Sequence, residues 1–355
     1  MESNPAPSGP APVQATLVPA AQPQVVYVQA AQNPFFRWLS WMGWVGCFMA
    51  VSAIIGMTAK YNEYFDATAG IEEKFHSGAK SADDKVAIID ISGVIGASDE
   101  FVKKQIDRVR KDENVKSIVV RVDSPGGTIT GSDYILHHLK ELKADRNLPL
   151  VVSMGGVAAS GGYYVSMAVG DTPNSIYAEP TTTTGSIGVI IPHYDISGLL
   201  ASFDVKDDSI VSHRRKQLLS MTRPIQPEDR EVLDNYLQDA FTRFKNVIKE
   251  GRPVFREDPA QLDELATGEI FTANQAKEHG LVDELGFIED AVARAATLAD
   301  LQEDSYRVVK YKAPQTLFGA ITSARSATGG SNAALFDWQS LLELTVPRAY
   351  YLCTF

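Results

Sequence analysis

Ser160 stands among small residues, in the stretch Met154-Gly-Gly-Val-Ala-Ala-Ser160-Gly-Gly-Tyr-Tyr164, shortly after the apolar run Leu148–Val152. Glycine and alanine leave room for a peptide backbone to approach the hydroxyl. A serine at a strand-to-helix junction also lies beside free backbone N–H groups. Such groups can hold the oxyanion that forms in acyl transfer. Asp123-Ser-Pro-Gly-Gly127 lies upstream, again directly after an apolar run. The pairs Gly126-Gly127 and Gly161-Gly162 can therefore share one edge of a sheet, where open α/β layers bind ligands. The bland alternatives are close packing at Ser160 and a plain turn at Pro125.

A serine nucleophile needs a base, and histidine or lysine can serve. Lys216 is the candidate, in the segment Ser212-His-Arg-Arg-Lys-Gln-Leu-Leu-Ser220. An ordinary lysine, with a pKa of about 10.4, keeps its proton at neutral pH. The reading therefore expects burial, which lowers that value. Arg214 and Arg215 cannot take a proton, although their charge would favour a neutral neighbour. The alternative for Lys216 is a solvated basic turn. Of the six histidines, His193 is the rival base, because it follows the apolar run Ile187–Ile191. No histidine pair has metal-ligand spacing, so neither a metal nor a cofactor is expected. There is no G-x-S-x-G elbow, since Ala158 precedes the serine by two positions.

These residues need a scaffold. Strands are read at Val86–Ile91, Ile118–Val122, Leu148–Val152, Ser175–Tyr177 and Ile187–Ile191. Helices are read from Ser98, as N-cap, to about Asp112, over 132–142, after Ser160, and over Glu228–Glu250. Alternation of this kind implies an α/β fold with a covered, parallel sheet. The apolar stripe from Val232 to Ile248 is taken as core or subunit packing. The expected organisation is a Pro/Ala/Gln-rich disordered tail over 1–37, a transmembrane helix over 38–58, a linker over 59–84, the main domain over 85–300, and a partly flexible extension over 301–355. Trp38–Thr58 carries no charge and would span roughly 30 Å of hydrocarbon. Trp38, Trp41 and Trp44 crowd one end, as at a lipid–water interface. The chain of 355 residues has a net charge of −11 and no basic cluster, which argues against nucleic-acid binding. Cys47 and Cys353 do not make a disulfide framework.

Five blocks together resemble one family: Asp123-Ser-Pro-Gly-Gly127, Ala159-Ser-Gly-Gly-Tyr-Tyr164, Thr184-Gly-Ser-Ile-Gly-Val189, the Lys216 segment and Leu281-Val-Asp-Glu-Leu-Gly286. They occur in this order in the signal peptide peptidase A (protease IV) family. The resemblance covers about residues 85–300 and is to the half-length, membrane-anchored form. It implies a ClpP/crotonase-like fold of stacked β-β-α units and a serine endopeptidase that cuts remnant signal peptides or other membrane-associated peptides. It implies Ser160 as nucleophile, Lys216 as general base and the Gly127 and Gly161 N–H groups as oxyanion donors, with Gly126 permitting the turn. It further implies a homo-oligomeric ring whose neighbours share active sites, and a catalytic domain outside the cytoplasm. The lysine segment is more basic than is expected for the family. Two rivals stay open: a catalytically inactive peptide-binding scaffold, and a crotonase-like acyl-CoA enzyme on the same fold. A last expectation concerns Gly319–Ala334, small and mostly uncharged, which is read as able to fill the substrate groove or be trimmed.

Overall fold

The computed structural model describes residues 34–313, except 67, 69 and 98, together with residues 349–353. The expected tail over 1–33 and the segment Gly319–Ala334 lie outside the described residues. The chain divides into two compact units, Met1–Tyr61 and Asn62–Phe355. Helix α1 (Pro34–Phe65) contains the span Arg37–Thr58, which has a mean hydropathy of 1.6. It is long and apolar enough to cross a membrane.

The second unit is α/β. Its elements run β1 (Glu72–Gly78), β2 (Asp84–Ser92), α2 (Glu100–Lys111), β3 (Val115–Ser124), β4 (Gly126–Thr128) and α3 (Ile129–Arg146). Then come β5 (Leu150–Ala159), α4 (Gly161–Ser166), β6 (Ile176–Ala178), β7 (Thr183–Gly185) and α5 (Ser197–Ser202). The rest comprises α6 (Pro227–Gly251), α7 (Val254–Glu257), α8 (Pro259–Leu265), β8 (Ile270–Thr272), α9 (Ala273–Glu278), β9 (Glu284–Leu285), α10 (Ile288–Leu298), β10 (Tyr306–Lys312) and β11 (Tyr350–Leu352). Among the described residues, nine strands make one sheet, with the order β1-β10-β2-β3-β5-β6-β9, with β7 beside β5 and β8 beside β7. It is largely parallel.

The strand sequences explain the two covered faces. Val86, Ile88, Val119 and Val151 turn to one side and pack on Ala291, Val292, Ala295 and Ala296 of α10. Ala87, Ile89, Ile91, Val120, Val122 and Val152 turn to the other, with Val102 and Ile106 of α2 and Ile135 and Leu139 of α3 in the same core. Alternation with period two thus gives two apolar layers rather than one wet face. Ile89 is fully buried. Ile89→Ala is expected to cost about 3 kcal/mol through lost burial and a cavity, read as a lowered urea midpoint.

Several expectations need correction. The 59–84 segment is not only a linker: α1 continues to Phe65, and β1 pairs with β10. Lys85, nearly buried, reaches Glu73 of β1 at 2.9 Å and Asp112 at 2.7 Å, which ties β1 to the domain. On the far side, β10 lies between β1 and β2, so the sheet extends past residue 300. Asp99, not Ser98, caps α2 by accepting from Val102 N–H at 3.1 Å. Ile187–Ile191 is not a ladder strand; Thr183–Gly185 is, and Ile190 makes one isolated bridge, to Tyr350. Of the stripe on α6, Phe244, Val247 and Ile248 are buried while Val232 and Tyr236 stay exposed.

Candidate active site

Strand β5 changes neighbours midway. Its residues 152–154 pair with β6 and its residues 157–159 pair with β7. Gly155 and Gly156 sit at the change, where Asp123 Oδ1 accepts the Val157 N–H at 3.0 Å. The strand therefore runs on to Ala159 and delivers Ser160 at its tip, directly before α4.

Ser160 has φ 53° and ψ −113°. A positive φ at a non-glycine residue is uncommon and costs on the order of 1–3 kcal/mol. Both backbone groups are pinned: Ser160 N–H donates to the Gly185 carbonyl at 2.8 Å, and its carbonyl accepts from Tyr164 N–H at 2.8 Å. The Thr184–Val189 block supplies this brace. Thr184 Oγ1 donates to the Ala158 carbonyl at 2.6 Å, and Ser186 N–H donates to the Glu269 carbonyl at 2.7 Å. The Leu281–Gly286 block acts behind it, because its Leu281 carbonyl accepts from the Tyr163 hydroxyl at 2.9 Å. The Ser160 side chain is the exception in this network. It is 1% exposed, and Oγ has no hydrogen-bond partner among the described residues. A buried hydroxyl left so costs about 1–3 kcal/mol.

Strand β4 faces this junction. Gly126 has φ +97°, and a Cβ there would fall 2.6 Å from Gly161 N and 2.1 Å from the Tyr351 carbonyl oxygen. A Cβ on Gly127 would fall 2.0 Å from the Ile95 carbonyl oxygen. Only glycine fits either position. One edge of β4 binds Ile95, which donates to Gly126 O at 2.8 Å and accepts from Thr128 N–H at 2.9 Å. The other edge binds β11, which is antiparallel, with Tyr351 opposite Gly127. On its far side β11 exchanges two hydrogen bonds with Ile190, at 2.9 and 3.0 Å. The segment thus lies extended between two backbones, beside Ser160.

Cavities open at both ends of that segment. One, of about 680 Å³, is lined by Ser186, Gly188, Ile190, Gly268, Ile270, Leu352 and Cys353. The other, of about 470 Å³, is lined by Ala97, Thr128, Ile129, Leu219, Leu233, Tyr236 and Ala349. An extended peptide running through the groove would meet both.

Gly126, Gly127, Ser160 and Gly161 are brought together; Lys216 is not joined to them by any hydrogen bond. It lies on a 3₁₀ turn, Arg214–Gln217, and is exposed, so the burial expected for it is absent within one chain. The turn itself is well held. Arg214 reaches the buried Asp229 carboxylate at 3.0 and 3.1 Å, and Arg215 lies 3.7 Å from it. Arg223 donates to the Arg214 carbonyl at 2.7 Å and to the Gln217 carbonyl at 3.1 Å. The arginines take the carboxylate, and the Lys216 amine has no partner among the described residues. His193 is committed elsewhere, its Nε2–H donating to the Ser220 carbonyl at 3.1 Å. Among the described residues one histidine–carboxylate group comes together, His137, His138 and Glu141, but Arg110 sits 3.7 Å from Glu141 and opposes a cation there.

Sequence reasoning missed Tyr351. Its side chain is fully buried, its ring centroid lies 5.0 Å from that of Tyr164 and 4.5 Å from that of Phe244, and its hydroxyl donates to the Ala240 carbonyl at 2.9 Å. Burial raises the pKa of both Tyr351 and Tyr164 above the ordinary tyrosine range; for Tyr164 the 2.7 Å hydrogen bond to Asp133 adds to this. No local signal around residue 351 points to Gly127, which lies more than 200 residues earlier.

Residues 142–302 match peptidase family S49. The chain is 33% identical over 289 residues to a protein of Enterococcus faecium named Putative signal peptide peptidase SppA, covering 78% of each chain. It is 40% identical over 200 residues to Protease 4 of Salmonella typhi, covering 56% of this chain and 31% of that one. It is 30% identical over 260 residues to Serine protease SPPA, chloroplastic, of Arabidopsis thaliana, covering 69% of this chain and 36% of that one. The chain thus spans only about a third of the length of these last two relatives. A buried, unpartnered serine at a strained junction, the glycines around it and these similarities agree: the chain belongs to peptidase family S49, the signal peptide peptidase A family of serine proteases.

Proposed function

We propose that the protein is a membrane-anchored serine endopeptidase with Ser160 as nucleophile and Lys216 as general base. The observation that carries this reading is the Ser160 hydroxyl, buried and unpartnered at a strained backbone position. Gly127 and Gly161 supply the oxyanion donors, and Gly126 keeps the two backbones close. The groove between β4 and Ile190 takes an extended chain through its backbone, so its substrates are unfolded peptides rather than folded surfaces. Helix α1 is the anchor in this reading, and the family resemblance supports a catalytic domain outside the cytoplasm with remnant signal peptides as its substrate class.

The serine and lysine come from neighbouring copies in a ring. The segment leading to Lys216 supports this, because Tyr194, Leu199, Phe203 and Ile210 along it are each exposed, and a run of chain that leaves large apolar side chains in water suits a subunit contact.

The reading is tested by labelling with a serine-reactive fluorophosphonate. The wild-type protein should label once per chain and lose peptidase activity in proportion. Ser160→Ala should not label. Labelling that persists in Ser160→Ala, or a wild type that never labels yet cleaves peptide, overturns the nucleophile.

A further inference from the structure

We propose that Asp123 is a positioning residue for the nucleophile: its carboxylate closes a bulge in β5 and so fixes the strand end that carries Ser160. The proposal rests on the peptidase reading and adds a residue to that same site.

The ladder between β3 and β5 breaks at this place. Val122 stands opposite Met154, and the next pair is Ser124 with Ala158, so β3 advances two residues while β5 advances four. Such a bulge leaves backbone groups without ladder partners and bends the strand. Here it carries β5 from β6, its neighbour up to Met154, to β7, its neighbour from Val157. Asp123 is the residue the ladder skips. Its backbone stays with β2, where it stands opposite Ser92 and its carbonyl accepts from Gly93 N–H at 2.9 Å. Its side chain crosses to the bulge, where Oδ1 accepts from Val157 N–H at 3.0 Å. A carboxylate thus takes the place of a ladder carbonyl, and its charge strengthens the bond.

The surroundings keep the carboxylate in that place. A Cβ on Gly155 would fall 3.0 Å from Asp123 Cγ and 3.0 Å from Arg121 Nη2, so glycine is what lets both side chains lie against the bulge. Arg121 is itself committed, donating to Ser153 Oγ at 2.9 Å and to Glu179 Oε1 at 2.6 Å. Thr182 Oγ1 donates to the Gly155 carbonyl at 2.6 Å. Three residues beyond Val157 is Ser160, whose positive φ persists only where the structure around it over-determines the backbone. Gly185 and Thr184 supply that constraint from β7. Asp123 supplies it from β3. Without its carboxylate the end of β5 is held from one side alone, and a nucleophile misplaced by about 1 Å loses on the order of 100-fold in rate.

The test uses the full chain in detergent and three variants, Asp123→Ala, Asp123→Asn and Gly155→Ala. Asp123→Ala should lower both kcat on an unfolded peptide and the rate of fluorophosphonate labelling at Ser160 roughly 10- to 100-fold, with KM within about two-fold of wild type. Its thermal midpoint should stay near that of wild type, since Asp123 is exposed and buries no apolar surface. Asp123→Asn keeps an oxygen acceptor in the same place and should recover most of the rate. Gly155→Ala keeps the carboxylate but pushes it aside, and should slow labelling as Asp123→Ala does. Amide hydrogen exchange in peptic fragments covering 155–160 should quicken in Asp123→Ala and stay as in wild type in Asp123→Asn. Wild-type rates in Asp123→Ala, an Asp123→Asn as slow as Asp123→Ala, a loss confined to KM, or quicker exchange across the whole domain overturns the proposal and leaves the peptidase standing. A wild type that neither labels nor cleaves peptide overturns both.

Discussion

Mixing two inactive variants, Ser160→Ala and Lys216→Ala, in one assembly should restore about a quarter of wild-type peptidase activity, since neighbours in a ring meet through unlike surfaces. The Ser160→Ala chain keeps its lysine and the Lys216→Ala chain keeps its serine. If each site takes serine from one copy and lysine from the next, half of the serines are intact. Half of those face an intact lysine. If both residues act within one chain, every site lacks one of them and the mixture stays inactive. Two features favour sharing: Ser160 Oγ lacks a hydrogen-bond partner among the described residues, and Lys216 is exposed on a turn fixed by Asp229 and Arg223. A base on a fixed, exposed turn suits a hydroxyl offered by another molecule. Co-expression with two affinity tags and tandem purification gives the mixed assembly for the assay. Activity no higher than that of either variant alone would end the shared-site reading.

The serine junction was legible because its backbone demands are written locally. Gly126, Gly127 and Gly162 stand where a Cβ would strike neighbouring backbone and Gly161 where it would strike Ser132 Oγ, and small residues on both sides of Ser160 announce a crowded turn. The parallel core was legible for a related reason: Val86–Ile91 and Ile118–Val122 are apolar on both faces, as a covered strand must be. What escaped was non-local. Glu72–Gly78 reads as a polar linker, and it is a strand only because β10 lies beside it. The strand read at Leu148–Val152 stops short of Gly155-Gly156, yet Asp123 and β7 carry β5 across that point to Ala159. Ile187–Ile191 has strand composition, but among the described residues its one β-bridge is from Ile190 to Tyr350, 160 residues further on. The groove's occupant was expected from Gly319–Ala334, by composition. That segment lies outside the described residues; what pairs with β4 is Tyr350–Leu352, which no local signal marked.

Lys216→Arg should be as inactive as Lys216→Ala, with kcat reduced by on the order of 10⁴-fold or more, the scale seen when one member of a catalytic unit is removed. Arginine preserves charge and much of the reach, but guanidinium does not give up its proton in a protein. On the turn, Arg214 and Arg215 engage Asp229 and Lys216 does not. The basic character of this segment, unexpected from the family resemblance, then has a role: the arginines anchor the turn and absorb its counter-charge. His193→Ala should keep activity within a few-fold of wild type by comparison, since its Nε2–H already donates to the Ser220 carbonyl. Rates for the three variants, normalised to Ser160 labelled by fluorophosphonate, separate the cases. Near-normal turnover by Lys216→Arg, joined to a loss in His193→Ala, would transfer the role of base to the histidine.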